Sequence, residues 1–149
     1  MSNWVERKKA RQAALISGAS TIWNDVRAAI QDACASYNAW QAGSSVSKTV
    51  VCALENGKRI RLSKELREVL SNTTYHDQTI TVVIEFHMDA KPWISVAGDG
   101  PVATAKFVID ADEKEAFIKI NNEISSGDQV SEKILSPLLF PTEKYANIP

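Results

Sequence analysis

Cysteine is scarce in this chain: two in 149 residues, Cys34 and Cys52, with no CxxC or CxxH spacing around them. That argues against a disulfide scaffold and against a thiolate zinc site, both of which need clustered sulfur. Histidine is limited to His76 and His87, and no serine stands in a GxSxG setting, so a hydrolase triad has little to draw on. The phosphate-loop pattern GxxxxGK[ST] is missing. Gly98-Asp99-Gly100-Pro101 reads instead as a hairpin turn, because no helix follows it to present amides to an anion. No apolar run approaches the roughly 20 residues of a membrane-spanning helix. The first residues are polar and basic (Ser2, Asn3, Glu6, Arg7, Lys8, Lys9), unlike a signal peptide, and the expected compartment is the cytoplasm. A net charge of −1 gives no general attraction to nucleic acid or anionic membrane.

What is present is the composition of one ordinary globular domain, with 44% hydrophobic and 23% charged residues. A chain of this length buries about two-thirds of its unfolded surface, enough for a core without staples. Charge is unevenly spread. Lys48 to Arg67 holds six basic and two acidic residues, whereas Asp110 to the end holds eight acidic and four basic. Such asymmetry either orients a partner or marks two solvated faces.

The strongest pattern lies near the start. Ile16, Ala19, Trp23, Val26, Ile30, Ala33, Tyr37 and Trp40 recur at alternating spacings of three and four, which is one stripe of an amphipathic helix from about Ser20 to Gln41. Gly43-Ser44-Ser45 ends it. Upstream the stripe thins through Gln12, Lys9 and Val5, Ser17-Gly18 offers a break, and Ser20 could cap a new helix. A continuous helix from Asn3 to Gln41 would measure about 58 Å, longer than the roughly 38 Å diameter of a compact domain of this size. The helix therefore either bends near Gly18 or overhangs with Trp4, Val5, Leu15 and Ile16 in need of cover.

Val46–Glu55 and Lys58–Leu62 read as a hairpin around an Asn56-Gly57 type I′ turn, pairing Glu55 with Lys58, Ala53 with Ile60 and Val51 with Leu62. The other face of that hairpin places Cys52 near Arg61. Ser63 is expected to cap a short helix, Lys64–Ser71, and Thr73–Gln78 to loop. Thr79–Asp89 alternates as a strand, with Ile80, Val82, Ile84, Phe86 and Met88 on one face. Pro92–Ala97 and Val102–Asp110 follow as strands. Glu113–Ile124 fits either a helix or a strand, and helix is favoured through Phe117, Ile120 and Ile124. Asp128 caps a last helix, Gln129–Leu135, stopped by Pro137, with Leu138, Leu139 and Phe140 tucked into the core and residues 141–149 a loose tail. The expected fold is α+β over 1–149: a long N-terminal helix and shorter helices packed on one face of a mostly antiparallel sheet.

Three groups carry candidate chemistry. Glu85, His87 and Asp89 share one strand face and could ligate a divalent metal or do acid–base work, with His76 and Asp77 nearby; a straight row of that kind spans about 13 Å, too long for one metal unaided. Lys106 could instead pair with Glu85 across the ladder. Lys58, Arg59, Arg61, Lys64 and Arg67 form a basic run suited to phosphates or an acidic protein, without the interleaved aromatics that single-stranded nucleic acid favours. Trp4 and Trp93 have no obvious buried slot, and exposed tryptophans are enriched at binding hot spots. Trp4, Arg59, Arg61, Lys64, Arg67 and Trp93 are thus the candidate interaction residues. No cofactor or metal site is implied. The reading is a non-enzymatic protein acting through protein–protein contact, as an inhibitor, immunity, adaptor or chaperone-like partner, or through self-association. The alternatives are an enzyme or small-ligand protein at Glu85, His87 and Asp89, and a nucleic-acid binder at Lys58–Arg67.

Overall fold

A computed structural model describes residues 3–42 and 48–148. The helix is not broken: α1 runs Trp4–Ala42, 39 residues, or about 58 Å at 1.5 Å per residue. The helix end expected at Gly43-Ser44-Ser45, and the strand start at Val46, lie outside the described residues. After α1 come β1 (Val51–Asn56), β2 (Arg59–Val69), β3 (Tyr75–His87), β4 (Trp93–Ala97), β5 (Ala105–Ala111), β6 (Ala116–Ile120), β7 (Glu123–Ser125), α2 (Gly127–Leu139) and β8 (Tyr145–Asn147). The seven strands β1 to β7 form an antiparallel meander in chain order, and β8 pairs with β2 beyond the end of β1. The architecture is α+β, with α1 and one shorter helix among the described residues.

Alternation decides the sheet. Ile60, Leu62, Leu66, Ile80, Val82, Ile84, Ile94, Val96, Phe107, Ile109 and Ile118 point to one face and are buried with Trp23, Val26 and Ile30 of α1 and with Val130, Ile134 and Leu138 of α2. Both helices share this face, so the opposite face stays open, as antiparallel sheets allow.

The α1 seam differs from the expected one at its ends. Leu15, Ala19, Trp23, Val26, Ile30, Cys34, Tyr37 and Gln41 are the buried positions, while Ile16 and Trp40 are 56% and 52% exposed. Strict alternation of three and four has a period of 3.5, and a straight helix slips past it by about 20° per heptad. The observed seam repeats every eleven residues instead (Leu15, Val26, Tyr37), closer to true helical pitch. Gly18 is not a hinge but a crossing point. A Cβ there would lie 2.7 Å from the Ala116 Cβ of β6, and one on Gly127 would lie 2.8 Å from the Asp25 carbonyl, so both glycines let neighbours pack tightly against α1.

Other expectations are corrected. Lys64–Ser71 is strand, not helix: β2 pairs with β3 without interruption from Arg59↔Glu85 to Val69↔Tyr75, a ladder that outweighs local helical spacing. The same ladder turns Tyr75–Gln78 from loop into strand. The first hairpin is offset by one residue, with Leu54 opposite Ile60 and Cys52 opposite Leu62, and a bulge between Leu54 and Asn56. Its corner is Gly57-Lys58, with the Lys58 amide donating to Asn56 Oδ1 (2.8 Å). Met88 falls past the end of β3 and is exposed. Glu113–Ile124 is β6 and β7, joined by Asn121-Asn122 at φ 53° and 66°, the left-handed pair of a type I′ turn. The cap of α2 is Ser126 rather than Asp128, in a reciprocal box with Gln129 (3.2 and 2.8 Å). Pro137 lies inside α2, and Phe140 is exposed. The stretch after Pro141, expected loose, contributes β8 and the buried Ile148.

The Gly18 crossing yields a test. Helix propensity alone favours alanine over glycine by about 1 kcal/mol. The 2.7 Å approach to a backbone-anchored Cβ opposes it. Gly18→Ala should lower the thermal midpoint, whereas Ser20→Ala on the exposed side should leave it level or raise it. A midpoint raised by Gly18→Ala would mean α1 and β6 do not touch there.

Candidate functional site

The open face of the sheet carries most of the residues singled out from the sequence. Glu55 sits between two arginines: Arg61 Nε donates to its Oε1, and Arg59 Nε lies 3.6 Å from its Oε2 and 3.9 Å from Glu85 Oε2. The Arg61 hydrogen bond, helped by both guanidinium charges, holds the Glu55 carboxyl below its ordinary range. On the adjacent row the His87 ring stacks on Trp93 at 4.0 Å and 14°. His87 Nε2 is 2.9 Å from Ser95 Oγ and 3.6 Å from Glu85 Oε1. Trp93 donates its indole N–H to Asp89 Oδ2 (2.9 Å), and Lys106 Nζ stands 4.4 Å over the Trp93 ring.

Glu85 and His87 are therefore brought together as their alternation implied, and Asp89 is not. It lies past the strand end with its carboxylate on the Trp93 indole. Among the described residues no group of three or more His, Cys, Asp or Glu is placed to hold a metal ion. Lys106 pairs with the Trp93 ring rather than with Glu85. His76 and Asp77 are at the far end of β3, where Asp77 takes both Nε and Nη2 of Arg67 (2.8 and 3.3 Å) and Arg67 also stacks on Tyr75 at 3.9 Å. The basic run is dispersed by the strand: Arg59, Arg61 and Arg67 face out beside carboxylates, and Lys64 faces in. Exposed pairs of this kind contribute about 0–1 kcal/mol each. Their main effect is to leave the face chequered in sign.

Lys64 is 1% exposed. Its ammonium donates to Asn147 Oδ1 of β8 and lies 5.5 Å from the Tyr37 ring centroid, while Asn147 Nδ2 donates to Leu139 O (3.3 Å). Burial pushes its pKa down from 10.5 to about 8. This lysine thus joins α1, α2, β2 and β8 from inside.

The remaining feature was not visible from the sequence. Tyr37, Trp40 and Phe140 form a ring cluster with centroids 5.8, 5.8 and 6.0 Å apart. It walls a groove of about 500 Å³ between α1 and α2, floored by Ala33, Leu135 and Leu139 and rimmed by Asp128 and Glu132. Trp40 and Phe140, both expected in the core, are 52% and 57% exposed here. The eleven-residue seam was the available signal: extended from Ile30 it reaches Gln41 and leaves Trp40 off axis.

At the other end of α1, Trp4 is 64% exposed. The first turns carry Glu6, Arg7, Lys8, Lys9 and Arg11. Arg11 is tied to the sheet, donating to Ala111 O (2.6 Å) and Asp110 Oδ1 (3.4 Å). No helix is long and apolar enough to cross a membrane among the described residues. Comparison with protein-family models, curated proteins and solved structures yields no match to this chain.

Lys64 predicts a pH effect of definite sign. A lysine with a depressed folded pKa binds fewer protons folded than unfolded between about 8 and 10.5, so its contribution to stability rises with pH across that window. The thiols of Cys34 and Cys52, raised above 9.0, act oppositely at the upper end, so the variant comparison isolates the lysine. Denaturant titrations from about pH 7 to about pH 10 should show wild type gaining on Lys64→Met as pH rises. Parallel profiles would mean Lys64 is not buried as a cation.

Proposed function

We propose that this chain is a non-enzymatic binding protein, acting through protein–protein contact at the groove between α1 and α2. The observation that carries the reading is the exposed Trp40–Phe140 pair over an apolar floor. Large rings left outside a core that buries so many smaller side chains are the residue type that dominates binding energy at interfaces. The chequered open face supports this choice, because its arginines already lie beside Glu55, Glu85 and Asp77 and offer phosphates no continuous positive track.

The groove favours an occupant that is apolar and cationic. Its floor takes apolar side chains, and Asp128 and Glu132 on its rim attract positive ones. The first turns of α1 meet that description, with exposed Trp4 and Val5 and a net +3 from Arg7, Lys8, Lys9 and Arg11 against Glu6. A second copy of the chain is the occupant these features favour, its Trp4–Arg11 turns seated between α1 and α2.

Sedimentation of the purified chain over a range of concentrations tests this. A concentration-dependent dimer is expected. Lys8→Glu and Glu132→Lys should each weaken it about tenfold or more, equivalent to about 1.4 kcal/mol, and the two together should recover part of the loss. Phe140→Ala, with unchanged circular dichroism, should weaken it as well. A chain that stays monomeric at the highest concentrations, or charge reversals whose losses simply add, would overturn the second-copy reading.

A further inference from the structure

Cys34 and Cys52 are eighteen positions apart in sequence with no motif to link them, yet the fold sets them against each other. Cys34 is in the buried seam of α1 and 2% exposed. Cys52 is on β1, opposite Leu62, and therefore on the helix-facing side of the sheet. It does not adjoin Arg61, which pairs with Ala53 on the other face. One turn further along α1, Asn38 clamps Val50 at both backbone groups, donating to its carbonyl (2.8 Å) and accepting from its amide (2.9 Å). This clamp fixes the start of β1 against the helix and brings the residue two places on, Cys52, to the residue one turn back, Cys34. Cys34 lies in the core and Cys52 packs against it, close enough that each perturbs the other's ionisation. Both are free.

We infer that Cys34 and Cys52 are a redox-active dithiol whose oxidation staples α1 to β1 through a disulfide. The site takes a low-molecular-weight disulfide as oxidant, and it stands independently of the groove reading. Exposure assigns the roles. Cys52 is the more exposed of the two, so it meets the oxidant and attacks first. Its sulfur displaces one thiolate from the oxidant and leaves a mixed disulfide on Cys52. Cys34 then loses its proton and attacks Cys52 Sγ, and the second oxidant thiolate departs. Two protein S–H groups are oxidised, one disulfide is reduced to two thiols, and those thiols take up the two protons. Burial raises both protein thiols, Cys34 to about 12, so the reaction is slow at neutral pH and accelerates as pH rises.

Intact-mass measurement of the full chain after incubation with glutathione disulfide at mildly alkaline pH tests the assignment. Wild type should lose two hydrogens, retain no glutathione and titrate with no free thiols. Peptide mapping should place the link between Cys34 and Cys52, and the thermal midpoint should rise on oxidation and fall back with dithiothreitol. Cys34→Ser should stop at a single glutathione on Cys52, and Cys52→Ser should react far more slowly. A wild-type product that keeps glutathione, two thiols left unreacted while the native fold persists, or a link between two chains would each overturn it.

Discussion

Trp23 is the contact on which the arrangement of the rest depends. Its ring lies parallel to Phe86 of β3, 5.8 Å away at 8°. Its indole N–H donates 2.7 Å to the Gly57 carbonyl, which also receives Arg27 Nη1 at 3.2 Å. One side chain thereby ties the middle of α1 to a central strand and to the first hairpin's corner. A buried indole at such a site is worth about 3–5 kcal/mol against truncation. Its hydrogen bond has a further structural effect. Gly57 is held as a corner residue with its carbonyl turned to the helix, which accompanies the one-residue offset of β1 and puts Cys52, rather than Ala53, on the helix side. In a strand, a slip of one residue exchanges the two faces entirely.

How far the sequence discloses this depends on which period a segment obeys and over what length. β3 is legible because Ile80, Val82, Ile84 and Phe86 alternate on a strand long enough to exclude a helix. The middle of α1 is legible because Trp23, Val26 and Ile30 satisfy periods of 3.5 and 3.67 alike. At Ile16 and Trp40 the two periods have diverged, and a seam anchored in the centre misplaces both. Lys64–Ser71 misleads for a different reason. Leu66, Val69 and Leu70 have helical spacing, but the eleven-residue ladder with β3 comes from pairing with a separate strand, from Val69↔Tyr75 out to Arg59↔Glu85. A buried lysine also breaks the expected alternation, and its partners Tyr37 and Asn147 lie far from it in sequence, Asn147 eighty-three positions on. Asn121-Asn122 was a turn signal of the kind hairpins use, hidden within a stretch that also has helical spacing.

The candidate sites divide along the same line. Glu85 and His87 share a face because alternation within one strand is local information. That Glu85 is spent partly on Arg59, and that Asp89 is taken by Trp93, depends on which strands lie alongside. The basic run is divided because Lys64 and Arg67 continue the strand of Arg59 and Arg61 instead of entering a helix, which sends Lys64 to the opposite side from the three arginines. The groove was missed because it exists only where α1 and α2 meet, and neither helix alone shows that Trp40 and Phe140 would end up side by side.

The continuity of α1 constrains what the two ends of the helix can do. Trp4 and Trp40 are 36 residues apart on one unbroken helix, about 54 Å at 1.5 Å per residue. A chain that bent at Gly18 could have folded its own basic turns back toward its acidic groove. The tight crossing of Gly18 over Ala116 instead holds the helix close to the sheet at that point. An occupant resembling the first turns of α1 must then come from another molecule, so any such contact depends on concentration. A one-way exchange of this kind would propagate into an open chain of copies. A reciprocal one, with the two α1 helices antiparallel so that each Trp4 comes to the other's Trp40, closes at two. The uneven spread of charge along the helix favours closure: basic at the start, acidic at Asp25 and Asp32 further on and at Asp128 and Glu132 beside its end, so that an antiparallel pair matches opposite signs at both ends at once.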